Sequence, residues 1–157
     1  MVLPLADFCQ DLHRYGAMIE APQNWMPTCN QPLRGGLHVA LSPDGNTYVV
    51  TYTEKADTEV IVASSDKDQV LEAIFDGVTL NMAAEGLARE APPVGPGSPA
   101  EITPANVGKL RTMAIAAHLK LRGAQEDLLG RLNPVWRDRQ AARNGEQLKR
   151  IESMLDE

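Results

Sequence analysis

Between Leu37 and Thr53 the residues alternate with a period of two, and no other feature constrains the fold as strongly. Leu37, Val39 and Leu41 alternate with His38, Ala40 and Ser42. Tyr48, Val50 and Tyr52 alternate with Thr47, Val49, Thr51 and Thr53. Successive side chains of a strand point to opposite faces, so each run reads as a strand with one face toward a core. Pro43-Asp44-Gly45-Asn46 separates the runs, and its glycine supplies the positive φ that a tight turn needs. A polar turn over 54–58 and the run Glu59-Val60-Ile61-Val62-Ala63 add a third strand. Residues 37–63 are therefore predicted to form an antiparallel meander with Tyr48, Val50 and Tyr52 on one face.

Around the meander the period changes. Leu5, Phe8, Cys9, Leu12 and Tyr15 recur at helical spacing and predict a helix over 4–15 stopped by Gly16, with 17–20 as a short strand. Ser65 is placed as the cap of a further helix whose buried stripe is Val70, Leu71, Ile74 and Phe75. Gly77 is read as an interruption, after which a helix continues over 78–89. The fold class is thus α+β, a small antiparallel sheet packed with helices.

Residues 91–103 hold four prolines and two glycines and read as a linker. They divide an α+β body, 1–90, from a helical region, 104–157. Thr103 and Pro104 suit a helix start, as N-cap and first helical residue. Val107, Leu110, Ala114, Ala117, Leu121, Ala124 and Leu128 form a seam for another helix. Pro134 breaks that helix, and a tail with Leu148, Ile151 and Leu155 on one face completes a C-terminal helical hairpin, with Asn144-Gly145 as a candidate break. The hairpin either docks on the body or protrudes.

Charge divides at the same place. Residues 1–100 carry 13 acidic and 5 basic side chains, a net of −8; residues 101–157 carry 8 and 10, a net of +2. An acidic front repels phosphate backbones and suits a basic protein partner, not nucleic acid. No apolar run approaches a membrane span, and the first residues lack the basic and apolar regions of a secretory signal, so a cytoplasmic location is expected. Cys9 and Cys29 are read as free thiols of a reducing compartment.

The usual constellations of catalysis are missing. A metal centre needs three or four converging ligands, and only Cys9 and His13 have ligand spacing. There is no G-x-S-x-G elbow, and His13, His38 and His118 are scattered over a helix, a strand and a basic helix. Gly35-Gly36 and Gly95-Pro96-Gly97 lack the lysine and the strand–loop–helix setting of a phosphate cradle. The expectation is a protein that is not an enzyme and holds no cofactor or metal.

Binding features remain. Residues 21–36 form a proline-rich loop containing Trp25 and Met26. Tryptophan is enriched at interface hot spots, and proline lowers the ordering cost. Trp25 either faces a partner or folds back over the sheet as a lid. Arg34, before Gly35-Gly36, either presents an anion site or turns the chain. Asp44, Asp57 and Glu59 are the carboxylates expected to steer a basic partner. The candidate partner-binding residues are Trp25, Met26, Arg34, Asp44, Asp57 and Glu59.

The order of elements over 3–90 resembles the immunity factor of the tuberculosis necrotizing toxin and its actinobacterial relatives. The resemblance rests on the helix from Leu5 to Gly16, the strands Gly36-Leu37-His38-Val39-Ala40-Leu41 and Asn46-Thr47-Tyr48-Val49-Val50-Thr51, the turn Glu54-Lys55, the strand Val60-Ile61-Val62-Ala63, and Ser64-Ser65-Asp66-Lys67-Asp68-Gln69-Val70-Leu71 leading into a helix. It implies a cytoplasmic antitoxin that plugs the active site of a cognate toxin before export; in the best-known relative the toxin hydrolyses NAD. The rival expectation is an acidic secretion chaperone that binds an effector segment. Such a chaperone is expected to dimerise, and the seam from Val107 to Leu128 is available for it; the oligomeric state is otherwise open.

Overall fold

The computed structural model describes residues 2–30, 35–90, 104–105 and 107–156. They fall into two compact units, Met1–Asn81 and Met82–Glu157, which divide within one long helix. The segment 91–103, read as a linker, lies outside the described residues, as does Arg34.

The first unit opens with α1 (Leu5–Met18), passes through a single 3-10 turn (Gln23–Trp25), and forms strands β1 (Gly36–Leu41), β2 (Tyr48–Glu54) and β3 (Asp57–Ser64). The sheet is antiparallel in the order β1-β2-β3, the meander expected from the alternation. Leu37 pairs with Tyr52, Val39 with Val50 and Leu41 with Tyr48, so these six share the core face. The turn closes as the residues dictate: Gly45 has φ +75, its N–H donates to the Ser42 carbonyl at 2.8 Å, and the Ser42 N–H donates to the Thr47 carbonyl. Phe8 of α1 stacks on Tyr48 with ring centroids 4.6 Å apart, and Tyr15 meets Phe75 edge-on at 5.9 Å. With Val39, Val50, Val70 and Phe75 fully buried, the core lies between the sheet and two helices.

The helix ends differ from expectation. Gly16 does not stop α1, which runs on to Met18, and the expected strand over 17–20 is instead the helix end and a turn. The left-handed position is filled by Glu20, φ 55, after which the Ala21 N–H donates back to the Gly16 carbonyl at 2.9 Å. Gly16 serves close approach instead: a Cβ there would lie 2.8 Å from Met26 Cε. The second helix, α2 (Lys67–Glu90), is capped by Asp66, not Ser65: Asp66 Oδ1 accepts from the Asp68 N–H at 3.0 Å and the Gln69 N–H at 3.3 Å. It also runs unbroken through Gly77, since one glycine costs a helix only about 1 kcal/mol.

The second unit contains the end of α2, α3 (Val107–Leu132) and α4 (Pro134–Leu155), the expected helical hairpin. Asn133 ends one helix and starts the next, its Oδ1 accepting from the N–H groups of Val135 and Trp136 while Pro134 takes the first position. Thr103 lies outside the described residues, and Pro104 stands in a turn ahead of α3. The buried face of α3 is not the expected seam. Gln125, Leu129 and Leu132 are buried, whereas Val107 is exposed and Leu121, Ala124 and Leu128 are half-buried. The facing contacts are polar: Arg122 donates to Gln147 at 2.9 Å, and Asn144 donates to Glu126 at 3.4 Å. Asn144 is itself buried inside a continuous α4, where Gln140 donates to its Oδ1 at 2.7 Å, so Asn144-Gly145 is no break. Among the described residues no helix is long and apolar enough to cross a membrane.

Candidate partner-binding site

Three local interactions fix the segment that carries Trp25. Cys9 and Cys29 are joined in a disulfide, their Cα atoms 6.5 Å apart. This corrects the reading of two free thiols: α1 and the loop after the 3-10 turn run close enough to bridge residues 20 apart in sequence. It also closes the only pair with metal-ligand spacing, because the Cys9 sulfur is committed. Met26, next to Trp25, is only 7% exposed and lies on the bare backbone at Gly16. Met26 is therefore an anchor of the loop and not a surface contact, a further correction. Beside Cys29, Thr28 bridges to β1: its N–H donates to the Leu37 carbonyl at 2.9 Å, and the Val39 N–H donates to the Thr28 carbonyl at 2.8 Å.

Clamped in this way, Trp25 is half-buried and forms one wall of a cleft of about 530 Å³. Leu37, Tyr52 and Ile61 supply the sheet side; Ala73, Ile74 and Gly77 supply α2. Ala73 contributes only a methyl group and Gly77 no side chain, and a Cβ at Gly77 would meet nothing within 4 Å. Among the described residues no carboxylate, histidine, lysine or arginine lines the cleft; the polar side chains there are the amides of Asn24 and Asn81 and the hydroxyl of Tyr52. Such a lining can hold an apolar side chain and orient it with a few hydrogen bonds.

Tyr52 also belongs to a second concavity of about 380 Å³, at the β2–β3 end of the sheet, with Glu54, Lys55, Asp57, Thr58 and Glu59. Tyr52 pairs with Glu59 and Glu54 with Asp57 across the ladder. Lys55 takes the left-handed conformation, φ 57, that lets the hairpin close in two residues. The acidic edge and the apolar cleft thus meet at one tyrosine.

The structure brings together Trp25, Asp57 and Glu59 through Tyr52. Asp44 stands apart, at the β1–β2 turn on the opposite end of β2, about 20 Å away for a strand of this length. There it accepts from Ser42 Oγ at 2.6 Å and from the Asn46 N–H at 3.0 Å, and these bonds, the serine's first, hold its carboxyl below the ordinary aspartate range. Asp44 is a turn-maker. Arg34 lies outside the described residues. Sequence reasoning missed Tyr52 and Ile61 as site residues; the alternation of one run and the apolar stretch of the other already explained them as sheet.

Comparison with protein-family models, curated proteins and solved structures finds no match for this chain. Its function has to be argued from its own residues. Among the described residues no group of three or more His, Cys, Asp or Glu side chains could hold a metal ion.

Proposed function

We propose that the chain is an immunity protein: it binds a cognate basic toxin and blocks the toxin's active site, an NAD glycohydrolase being the class its element order suggests. The observation that carries this reading is the clamped Trp25 beside an apolar cleft that shares Tyr52 with an acidic edge. A rigid aromatic wall gives a partner side chain a desolvated seat, and the carboxylates draw a basic surface toward it. The net −8 over residues 1–100 supports a basic partner. A cytoplasmic place of action goes with this reading, whereas the Cys9–Cys29 bond favours an oxidising compartment. Intact mass after alkylation at the moment of lysis decides between them, since thiols take the label and a disulfide does not.

The decisive experiment is co-expression with the products of the genes that flank its own. The expected result is a complex that survives purification, and a toxin whose activity on NAD and on growth returns when the immunity protein is removed. A neighbouring product that stays fully active in excess of this chain would sink the reading. Purification instead with an inactive, unfolded effector segment would assign the chaperone role.

A further inference from the structure

The cleft beside Trp25 suits an uncharged occupant, and the concavity next to it suits a basic one. Two aromatic rings, Trp25 and Tyr52, line the cleft together with the amides of Asn24 and Asn81. Among the described residues the side chains of Asn24, Asn81 and Tyr52 enter no hydrogen bond, so two amides and a phenol are left to meet a ligand. A charge set in this lining would lose its water without gaining a counter-ion. The adjoining concavity carries Glu54, Asp57 and Glu59 against one base, Lys55. Tyr52 pairs with Glu59 and Glu54 with Asp57, so these four share one face of the sheet. Glu59 and Asp57 precede Ile61 by two and four residues, which sets them roughly 7 and 13 Å along the strand from the cleft.

The edge of β3 is not the seat. Val50 pairs with Val62 and Thr51 with Val60, which leaves Ile61 bulged out of the ladder. That bulge, with Glu59 on the core face opposite Tyr52, blunts β3 against a further strand. An extended chain that binds here is held by its side chains and carbonyls. Polyproline II is the extended form that leaves its backbone groups free, and its prolines pack on aromatic rings. It repeats every three residues at about 3.1 Å each, so residues three apart lie on one side, about 9 Å from each other. That spacing falls between the distances from Ile61 to Glu59 and to Asp57.

We infer that the cleft takes a proline-rich segment of the partner in the polyproline II conformation, with a basic residue three positions from the nearest proline. The prolines lie against Trp25 and Tyr52, and the amides of Asn24 and Asn81 donate to the segment's carbonyls. The basic side chain meets Glu59 and Asp57, and an acidic or neutral residue there leaves the carboxylates unmatched. The inference rests on the partner-binding reading above and names which part of the partner the site holds.

The test uses the full, isotope-labelled chain with its disulfide intact and a synthetic peptide. The peptide is alanine throughout, with two prolines three positions apart and an arginine three positions outside each, so that either chain direction is read. One control peptide carries alanine for proline, another glutamate for arginine. NMR follows the amide and indole N–H signals, with the fully buried Trp136 as internal control. The arginine–proline peptide is expected to bind with Kd below about 1 mM and to move the Trp25 indole and the side-chain amides of Asn24 and Asn81. Each control peptide should bind roughly tenfold more weakly. Asn81→Ala, at an exposed helix position, should weaken binding roughly threefold with circular dichroism unchanged. Asp57→Lys with Glu59→Lys should reverse the preference between arginine and glutamate while the requirement for proline stays. Equal binding of the proline-free peptide would overturn the inference, as would an unmoved Trp25 indole at about 1 mM peptide. A Trp25 shift that grows with protein concentration alone, with a dimer by sedimentation, would overturn it in favour of a second copy. A toxin blocked by a chain that ignores the peptides removes this inference and leaves the immunity reading standing; peptide binding with no toxin inhibited does the reverse.

Discussion

Trp25 and the disulfide that holds its loop are the residues on which the proposal turns. Trp25→Ala is expected to speed dissociation from the toxin by a factor corresponding to about 2 kcal/mol, with a smaller fall in melting temperature, because its ring is half-buried at the cleft and not at the centre of the core. Surface plasmon resonance and a thermal melt separate the two effects; an unchanged dissociation rate in a folded variant ends the role given to Trp25. Replacing Cys9 and Cys29 by serine removes a cross-link across a separation of 20 residues and should cost about 3 kcal/mol, read as a lower urea midpoint with an unchanged slope. Neither assignment was wholly legible. Trp25 in a proline-rich loop was visible as an anchor or a lid, and it is a wall between those extremes. The disulfide was not visible, because two cysteines give no hint that the loop returns to α1. Gly16 was misread for a related reason: a glycine near a helix end looks like a stop signal, and only the three-dimensional position of Met26 shows that the missing Cβ is needed for packing.

At the scale of elements, α1 is tied to the start of α2 by Lys67 donating to Asp11 at 2.6 Å, with Arg14 beside them at 3.2 Å. The Lys67 hydrogen bond is the main reason that the Asp11 carboxyl is held below its ordinary range, and the same bond raises Lys67. For a lowered carboxyl the stabilisation is complete above the ordinary aspartate pKa of about 4 and is lost as pH falls through the lowered value. For the raised lysine it is complete below the ordinary value and lost as pH climbs past the raised one. Both side chains are partly exposed, at 25% and 47%, so the pair contributes only about 0.5 kcal/mol at neutral pH. Asp11→Asn should lower the urea midpoint slightly at pH 7 and leave it unchanged near pH 2; an equal loss at both would mean that packing, not charge, joins the helices. The β-hairpin was readable because a period of two admits one answer, and Asp44-Gly45 fixed the turn. The face of α3 was not. Its seam of alanines and leucines looked like the natural interface, yet the buried stripe passes through Gln125, satisfied by Arg122 at 3.0 Å. Apolar spacing alone cannot anticipate a buried polar contact of that kind.

For the whole molecule, the compact units part within α2, at Asn81, ahead of the boundary that composition suggested. Residues 82–90 group with α3 and α4, and Glu90 lies 3.9 Å from Lys120. Limited proteolysis is expected to cut within 91–103, where prolines and glycines concentrate. The fragments 1–90 and 104–157 should then co-elute under native conditions, because the end of α2 stays with the hairpin. Separation of the fragments on gel filtration would show that the tail is independent, and cutting elsewhere first would remove the linker reading. The loop that carries Trp25 is secured by Cys9, Gly16, Met26 and Thr28, while the surface proposed for a partner is Trp25, Tyr52, Ile61 and the carboxylates of β3. Fastening and recognition fall on different residues. On the immunity proposal, a lineage facing changing toxins can therefore rewrite the second set, one substitution at a time, while the scaffold that displays it is inherited intact.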